Sequence, residues 1–374
     1  MCGSIWQTEK TKIMQMKIPT EPIGSIPRPI ELILGMQAYA QGQMDEKGLQ
    51  ELYDSALRDT IRKFELTGSP VITDGEQTKP SFATYPIAGM KNLLPQGVVI
   101  PFADGHTRQL PVISEGPFRY MAHASAYLKK AKQYTRLPVK QAVISVSALS
   151  LLYPQQGLPG YTQEHFIEDL IGEAEADIRQ CIEEGAYNVQ IDFTEARLSL
   201  KLDPSGGILN SFIALNNQVL DRFTQSQRKN IGVHSCPGGD HDSTHSADIA
   251  YADLLPSLFE LHAGNFYLEF AAEKDKQSVL KSIKENLRPG QRVFLGVTNV
   301  LDRRIESAAQ INELIQEALA YIPLEQFGTT DDCGFSPFAD DVSTSREIAF
   351  AKIRSRIEGT KMAEAALEQK KVFV

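Results

Sequence analysis

A chain of 374 residues with 42% hydrophobic and 23% charged side chains can bury a sizeable core, which excludes a disordered polyelectrolyte. A formal net charge of −9, with no Lys/Arg cluster flanked by aromatics, argues against nucleic acid and anionic membranes as partners. No window approaches the ~20 apolar residues of a membrane span, and Cys2, Cys181, Cys236 and Cys333 are too scattered for a disulfide framework.

Residues 1–18 are polar, lack the apolar centre of a secretory signal, and are expected to be a flexible segment. A reducing cytoplasm is then the default setting, in which thiols stay free to bind metal. Residues 19–374 read as a single barrel domain. Short apolar runs at 22–26, 70–74, 141–148, 187–193, 230–236, 265–270, 292–298 and 326–332 have the character of buried parallel strands. Amphipathic helices are expected between them at 48–66, 165–184, 247–261, 274–286, 307–320 and 345–367. Strands alternating with helices in this way predict an α/β chain of the (β/α)8 TIM-barrel type. Residues 80–137 break the rhythm. A hairpin around Ala103-Asp104-Gly105, followed by a helix over 117–132, is expected as an insertion after the second strand. Asp203-Pro-Ser-Gly-Gly207 lacks the Gly-Lys-Ser/Thr ending of a phosphate loop and reads as a plain connection.

Barrel enzymes place their chemistry at the C-terminal ends of the strands. His234-Ser235-Cys236 closes the fifth run, Glu269 the sixth, and Asp332-Cys333 the eighth. Residues two apart in a strand point the same way, so His234 and Cys236 can converge on one ion. Imidazole, two thiolates and a carboxylate form a plausible tetrahedral zinc set, with Glu273 as the rival to Glu269. The bland alternative makes Cys236 and Cys333 small apolar fillers. Asp240, His241 and His245 offer further donors, although that loop also reads as a glycine turn with Asp242, Ser243 or Thr244 capping the next helix.

These motifs bring a family into view. The His-x-Cys pair, the distant Glu and the late Asp332-Cys333-Gly334, with Ile23-Gly24-Ser25 and Asp74-Gly75-Glu76, resemble the catalytic barrel of the cobalamin-independent methionine synthases. The resemblance runs from about residue 18 to the final helix. It implies a Zn²⁺ held by His234, Cys236, Glu269 and Cys333, and a methyl or other alkyl group moved onto a zinc-activated thiol, homocysteine first among acceptors. It also implies that Ser25, Glu76 and Asp192 grip the amino-acid end of that acceptor. The chain departs from the family pattern in having one barrel, where folate-using members carry a further N-terminal half. It departs again after the fourth strand, where Asp192-Phe-Thr-Glu195-Ala-Arg197 brings new charges. Arg28, Lys79 and Arg197 are candidate anchors for an anionic substrate, and His241, His245, Asp332 and Glu195 are candidate proton donors. Phe335 and Phe338 are candidate pocket walls. The alternatives are a thiol alkyltransferase of the epoxide and coenzyme M type, a metal-independent decarboxylase on the same fold, and a purely structural zinc site. The partners implied are a small thiol and an alkyl donor, and a homo-oligomer is left open.

Overall fold

The computed structural model describes residues 18–372, so the expected flexible segment at the N-terminus lies outside the described residues save for Ile18. Six parallel strands form the main sheet: Gln141–Ile144, Val189–Asp192, Ile231–Ser235, Asn265–Leu268, Arg292–Gly296 and Phe327–Thr330, hydrogen-bonded in that order. Two further staves are each reduced to a single parallel bridge, Thr20 to Thr329 at one edge and Ile72 to Val139 at the other. The Ile26 amide donates to the Gly75 carbonyl at 3.0 Å and the Thr73 hydroxyl to the Gly24 carbonyl at 2.8 Å, joining these two staves to each other. The ring thus closes as a TIM barrel, and closure removes the open edges of the main sheet.

The staves carry Ile, Val, Leu and Phe buried on both faces, because each is sandwiched between the barrel interior and an outer helix. Eight helices form that outer ring: Glu46–Thr67, Ala124–Ala131, Gln163–Glu183, Gly207–Leu220, Tyr251–Leu258, Lys276–Asn286, Ala308–Ala318 and Arg346–Val372. Local chemistry sets their ends. Asp45 accepts the Gly48 amide at 2.8 Å to start the first of these, and Gly68 at φ 76° stops it. Ser307 and Gln310 form a capping box on the seventh. Asp203 accepts the Ile208 amide at 2.9 Å, so the Asp-Pro-Ser-Gly-Gly stretch opens a helix, as a connection should. The N-terminal mouth of the barrel is filled by a polar layer. Glu21 accepts from the Tyr267 hydroxyl and the Asn188 amide, both at 2.7 Å, while the Lys140 ammonium stands 3.6 Å from Glu21 and is pushed down to about 8 by burial. No described helix is long and apolar enough to cross a membrane.

Several boundaries differ from the sequence reading. The first stave pairs at Thr20, ahead of the expected 22–26, because Pro22 has no amide to donate. The third strand ends at Ile144, where the Ser145 hydroxyl accepts the Ala148 amide and starts a short helix, Val146–Ser150. Helices Ile30–Ala40 and Glu195–Leu202 were not anticipated. In the insertion, Val99–Pro101 pairs with Thr107–Gln109 as an antiparallel hairpin around the expected turn. The helix after it begins only at Ala124, since Phe118 and Tyr120 turn into the core ahead of it. That helix is the barrel's own second outer helix, leaving the hairpin as the added element over the C-terminal ends of the staves.

Candidate metal centre and substrate cavity

His234 and Cys236 leave the end of their strand on the same side, and Cys333 arrives from the last stave after Thr330. Donor atoms of His234, Cys236 and Cys333 all lie within 4.8 Å of one another. The two sulfurs are 3.1 Å apart. His234 Nδ1 faces the Tyr267 carbonyl at 3.1 Å, and a carbonyl only accepts, so Nδ1 carries the proton. Nε2 is the ring nitrogen left to face the sulfurs; it is buried with no hydrogen-bond partner, and although burial alone would lower the ring, the neighbouring Cys333 raises it above its ordinary value. A hydrogen bond from Cys236, assisted by the His234 ring, holds the Cys333 thiol well below its ordinary value, while the same bond and burial push Cys236 up. Two sulfurs and a buried imidazole nitrogen this close together are a donor set that a soft cation would complete.

Glu269 follows directly on its strand and borders a small cleft with Cys333. It stands outside the three-residue group: its Oε2 accepts from Arg197 at 3.0 Å, and Glu273 shares the same guanidinium nitrogen at 2.7 Å. Burial, together with the nearby Asp332, raises the Glu269 carboxyl well above its usual range.

Above this centre opens a cavity of about 390 Å³, lined at its base by Ser25, Glu76, Asp192, His234 and Cys333. Asp192 lies opposite His234 in the strand register. Its Oδ1 accepts from Gln190 at 2.7 Å, and burial pushes it up to about 7, with Glu76 adding to the effect. Glu76 sits in the Asp74-Gly75-Glu76 turn at φ 55°, a conformation few non-glycine residues adopt. The Asp74 carboxylate holds that turn through the Glu76 amide at 2.9 Å. Ser25 is fixed by accepting the Ser336 amide at 3.2 Å, and a β-carbon on Gly334 would fall 2.2 Å from its hydroxyl. The base of the cavity thus gathers the expected Ser25, Glu76 and Asp192 beside the expected ligands.

Four expectations need correcting. Arg197 does not line the cavity. It shares helix Glu195–Leu202 with Glu195, and two residues apart on a helix point in nearly opposite directions. Glu195 therefore faces the cavity, while Arg197 faces Glu269, Glu273 and the Ile249 carbonyl. Asp332 does not line the cavity but is held as an anchor: its two oxygens accept the amides of Phe270, Ala271 and Ala272 at 2.8, 2.8 and 2.7 Å, while burial, against those amides, pushes it up to about 7. It anchors the turn that follows Glu269. Arg28 and Lys79 are occupied beneath the site: Arg28 donates to four backbone carbonyls, and Lys79 to Glu76 and the Ala142 carbonyl. The loop after Cys236 caps no helix. It forms a small ladder, Gly239–Asp240 with Ser243–Thr244, around His241 and Asp242 at φ 48° and 59°.

His245 does line the cavity, but burial, with Lys201 and Arg197 nearby, lowers it to about 4. It is neutral at neutral pH and unsuited to proton donation there. The linkage has a definite sign. Below its ordinary value of 6.5 the unfolded chain takes up this proton and the folded chain does not, so stability present above pH 6.5 is lost as pH falls toward 4. In denaturant titrations His245→Gln is expected to flatten that part of the profile. An unchanged slope would mean that other groups govern it.

Sequence reasoning missed the upper walls. The hairpin contributes Ile100, Phe102, Leu110 and Arg108, while Phe82, Leu151, Leu198 and Phe338 close the other sides. Arg108 stacks over the Phe338 ring at 4.2 Å and pairs with Asp240 and Asp340. Of the two expected phenylalanines, Phe338 walls the cavity and Phe335 packs in the core.

Comparisons with known proteins agree with this architecture. The family model described as the catalytic domain of cobalamin-independent synthase matches residues 18–346. A methionine synthase of Saccharolobus solfataricus is 23% identical over 355 residues, covering 94% of this chain and 97% of that protein. One from Sulfurisphaera tokodaii is 21% identical over 355 residues, covering 94% of each. Among solved structures, the B12-independent methionine synthase from Shewanella sp. W3-18-1 in complex with selenomethionine superposes with a TM-score of 0.74. The sequences are 17% identical, and the match covers 94% of this chain and 99% of that one, a likeness of fold.

Proposed function

The chain belongs to the cobalamin-independent methionine synthase catalytic-domain family, and from that premise we propose that it is a zinc-dependent methyltransferase acting on the sulfur of homocysteine. The observation that carries the reading is the convergence of His234, Cys236 and Cys333 at the base of the cavity, with His234 Nε2 buried and without a hydrogen-bond partner. The donor set suits zinc, and these three residues would hold it with Glu269 as the fourth ligand. Zinc, when bound, supplies the Lewis acidity that keeps a coordinated thiol deprotonated at neutral pH.

The chain's own residues do the rest. Glu76 and Asp192 offer carboxylates to the acceptor's ammonium group, and Ser25 offers a hydroxyl to its carboxylate. Arg197 bridges Glu269 and Glu273 and so fixes the carboxylate at the edge of the centre. Asp332 fixes the turn behind it. The apolar upper walls exclude water from a nucleophile that would otherwise be hydrated. Neither alternative enzyme reading gains support. An anionic thiol such as coenzyme M, or a polycarboxylate for decarboxylation, calls for free cations, and Arg108 is already paired with two aspartates.

The test is product formation. Zinc-loaded protein, homocysteine and a panel of methyl donors are expected to yield methionine, with no turnover when homocysteine is replaced by its oxygen analogue homoserine. Equal turnover of homoserine, or none with any donor although homocysteine is bound, would overturn the assignment.

A further inference from the structure

The upper half of the cavity has a charge pattern that the thiol acceptor does not use. Its walls include Phe82, Phe102, Leu110, Leu151, Leu198 and Phe338. Among the residues that line it, Arg108 is the one with a fixed positive charge, and Asp240 and Asp340 neutralise it from two sides. His245 is uncharged at neutral pH. Glu195 stands opposite in character. It is 7% exposed, its Oε1 accepts the Ser145 and Ser147 hydroxyls at 2.6 and 2.5 Å, and its Oε2 has no hydrogen-bond partner. Asn216 in turn donates to the Ser147 hydroxyl at 2.7 Å, so the carboxyl is fixed in place. Burial raises the Glu195 carboxyl above its usual range against the two serine hydrogen bonds, so the empty site favours the neutral acid and a cation seated beside the unmatched oxygen would favour the carboxylate. A pocket of aromatic and aliphatic walls suits a weakly hydrated cation.

On the reading that the enzyme methylates a thiol, we propose that its methyl donor is an onium compound, a sulfonium or quaternary ammonium ion, seated in the upper cavity with its positive centre toward Glu195. The chemistry balances without a proton. A lone pair of the thiolate sulfur forms the new S–CH3 bond, the bond from CH3 to the onium centre breaks, and its electron pair stays on that centre. The cation leaves as a neutral sulfide or tertiary amine. A neutral N-methyl donor would instead depart as an anion and require a proton at the leaving atom, a step that an onium donor does not need. A polyanionic donor would meet Glu195, Glu76 and Asp192 with no free cation to offset them.

The binding test uses the full chain, metal-free and zinc-loaded, and two probes of one shape: choline and its uncharged carbon isostere 3,3-dimethylbutan-1-ol. Calorimetry is expected to show choline binding about tenfold or more tighter, the scale of a desolvated cation over aromatic faces beside a carboxylate. Glu195→Gln, which keeps the shape, should bring the ratio close to unity without lowering the melting temperature. Trimethylsulfonium should then serve as methyl donor to homocysteine, with a KM that rises in Glu195→Gln while the KM for homocysteine holds. Equal affinity of the two probes in the wild type overturns the proposal without any variant, as does a charge preference that survives Glu195→Gln. The thiol reading is scored separately, by the visible spectrum of the cobalt(II)-loaded protein on adding homocysteine. A shifted spectrum with equal probe affinities rejects the onium donor alone. An unshifted spectrum rejects the thiol reading and the donor role with it.

Discussion

Cys333→Ser is expected to strip the protein of metal, with zinc falling from about one per chain to a small fraction of that. Cys333 is the sulfur that both Cys236 and His234 approach, so its loss leaves an imidazole and one thiolate, too few soft donors to retain the ion. Methyl transfer should drop by roughly a thousandfold, which is what several kcal/mol of lost charge stabilisation at the thiol amounts to. The fold should survive, because serine keeps the size and hydrogen-bonding character of the side chain and the barrel closes elsewhere, through the bridges at Thr20 and Ile72. Elemental analysis and far-UV circular dichroism on the same sample check both halves. Full zinc content in a well-folded Cys333→Ser protein would remove this residue from the site.

Asp332→Ala should be the most destabilising single substitution near the centre. Three backbone amides, one buried and two partly buried, lose their acceptor at once, and a buried unsatisfied donor costs about 1–3 kcal/mol. Water entering the vacated space would recover part of that, so a loss of roughly 3–6 kcal/mol in denaturant unfolding is expected. Zinc affinity should fall as well, because the freed turn carries Glu269 at its start. Asp332→Asn separates anchoring from acid catalysis. An anchor keeps part of its function as an amide, so the variant should be less stable than wild type with an unchanged pH–rate profile. Wild-type stability in Asp332→Asn together with loss of the alkaline limb of the pH–rate profile would return Asp332 to the role of proton donor.

The convergence of His234 and Cys236 was legible because it is local. His234 and Cys236 are two residues apart on a strand, and the geometry of a strand alone makes them converge. That Cys333 arrives beside them followed from the habit of barrels to build sites at strand ends, whereas Glu269, expected with them, stands outside the group and pairs with Arg197. What escaped was everything set by contacts between distant backbones. Asp332 carries a carboxylate next to Cys333, which reads as a candidate acid, yet its partners are amides some sixty residues away, which no side-chain pattern reveals. Arg197 reads as a charge beside Asp192 until Glu195–Leu202 proves to be helical and turns it away from the cavity. The turn at Ala103-Asp104-Gly105 could be read, but not that its hairpin folds over the barrel and brings Arg108 to Asp240 and Asp340.

The central claim is that His234, Cys236 and Cys333 form a centre that receives a thiol. Zinc-edge X-ray absorption on the purified protein, with and without homocysteine, addresses it directly. The account predicts two sulfur neighbours at rest, from Cys236 and Cys333, and a third when homocysteine is added. A protein isolated without zinc in the absence of chelators, or a zinc shell that homocysteine leaves unchanged, would contradict it.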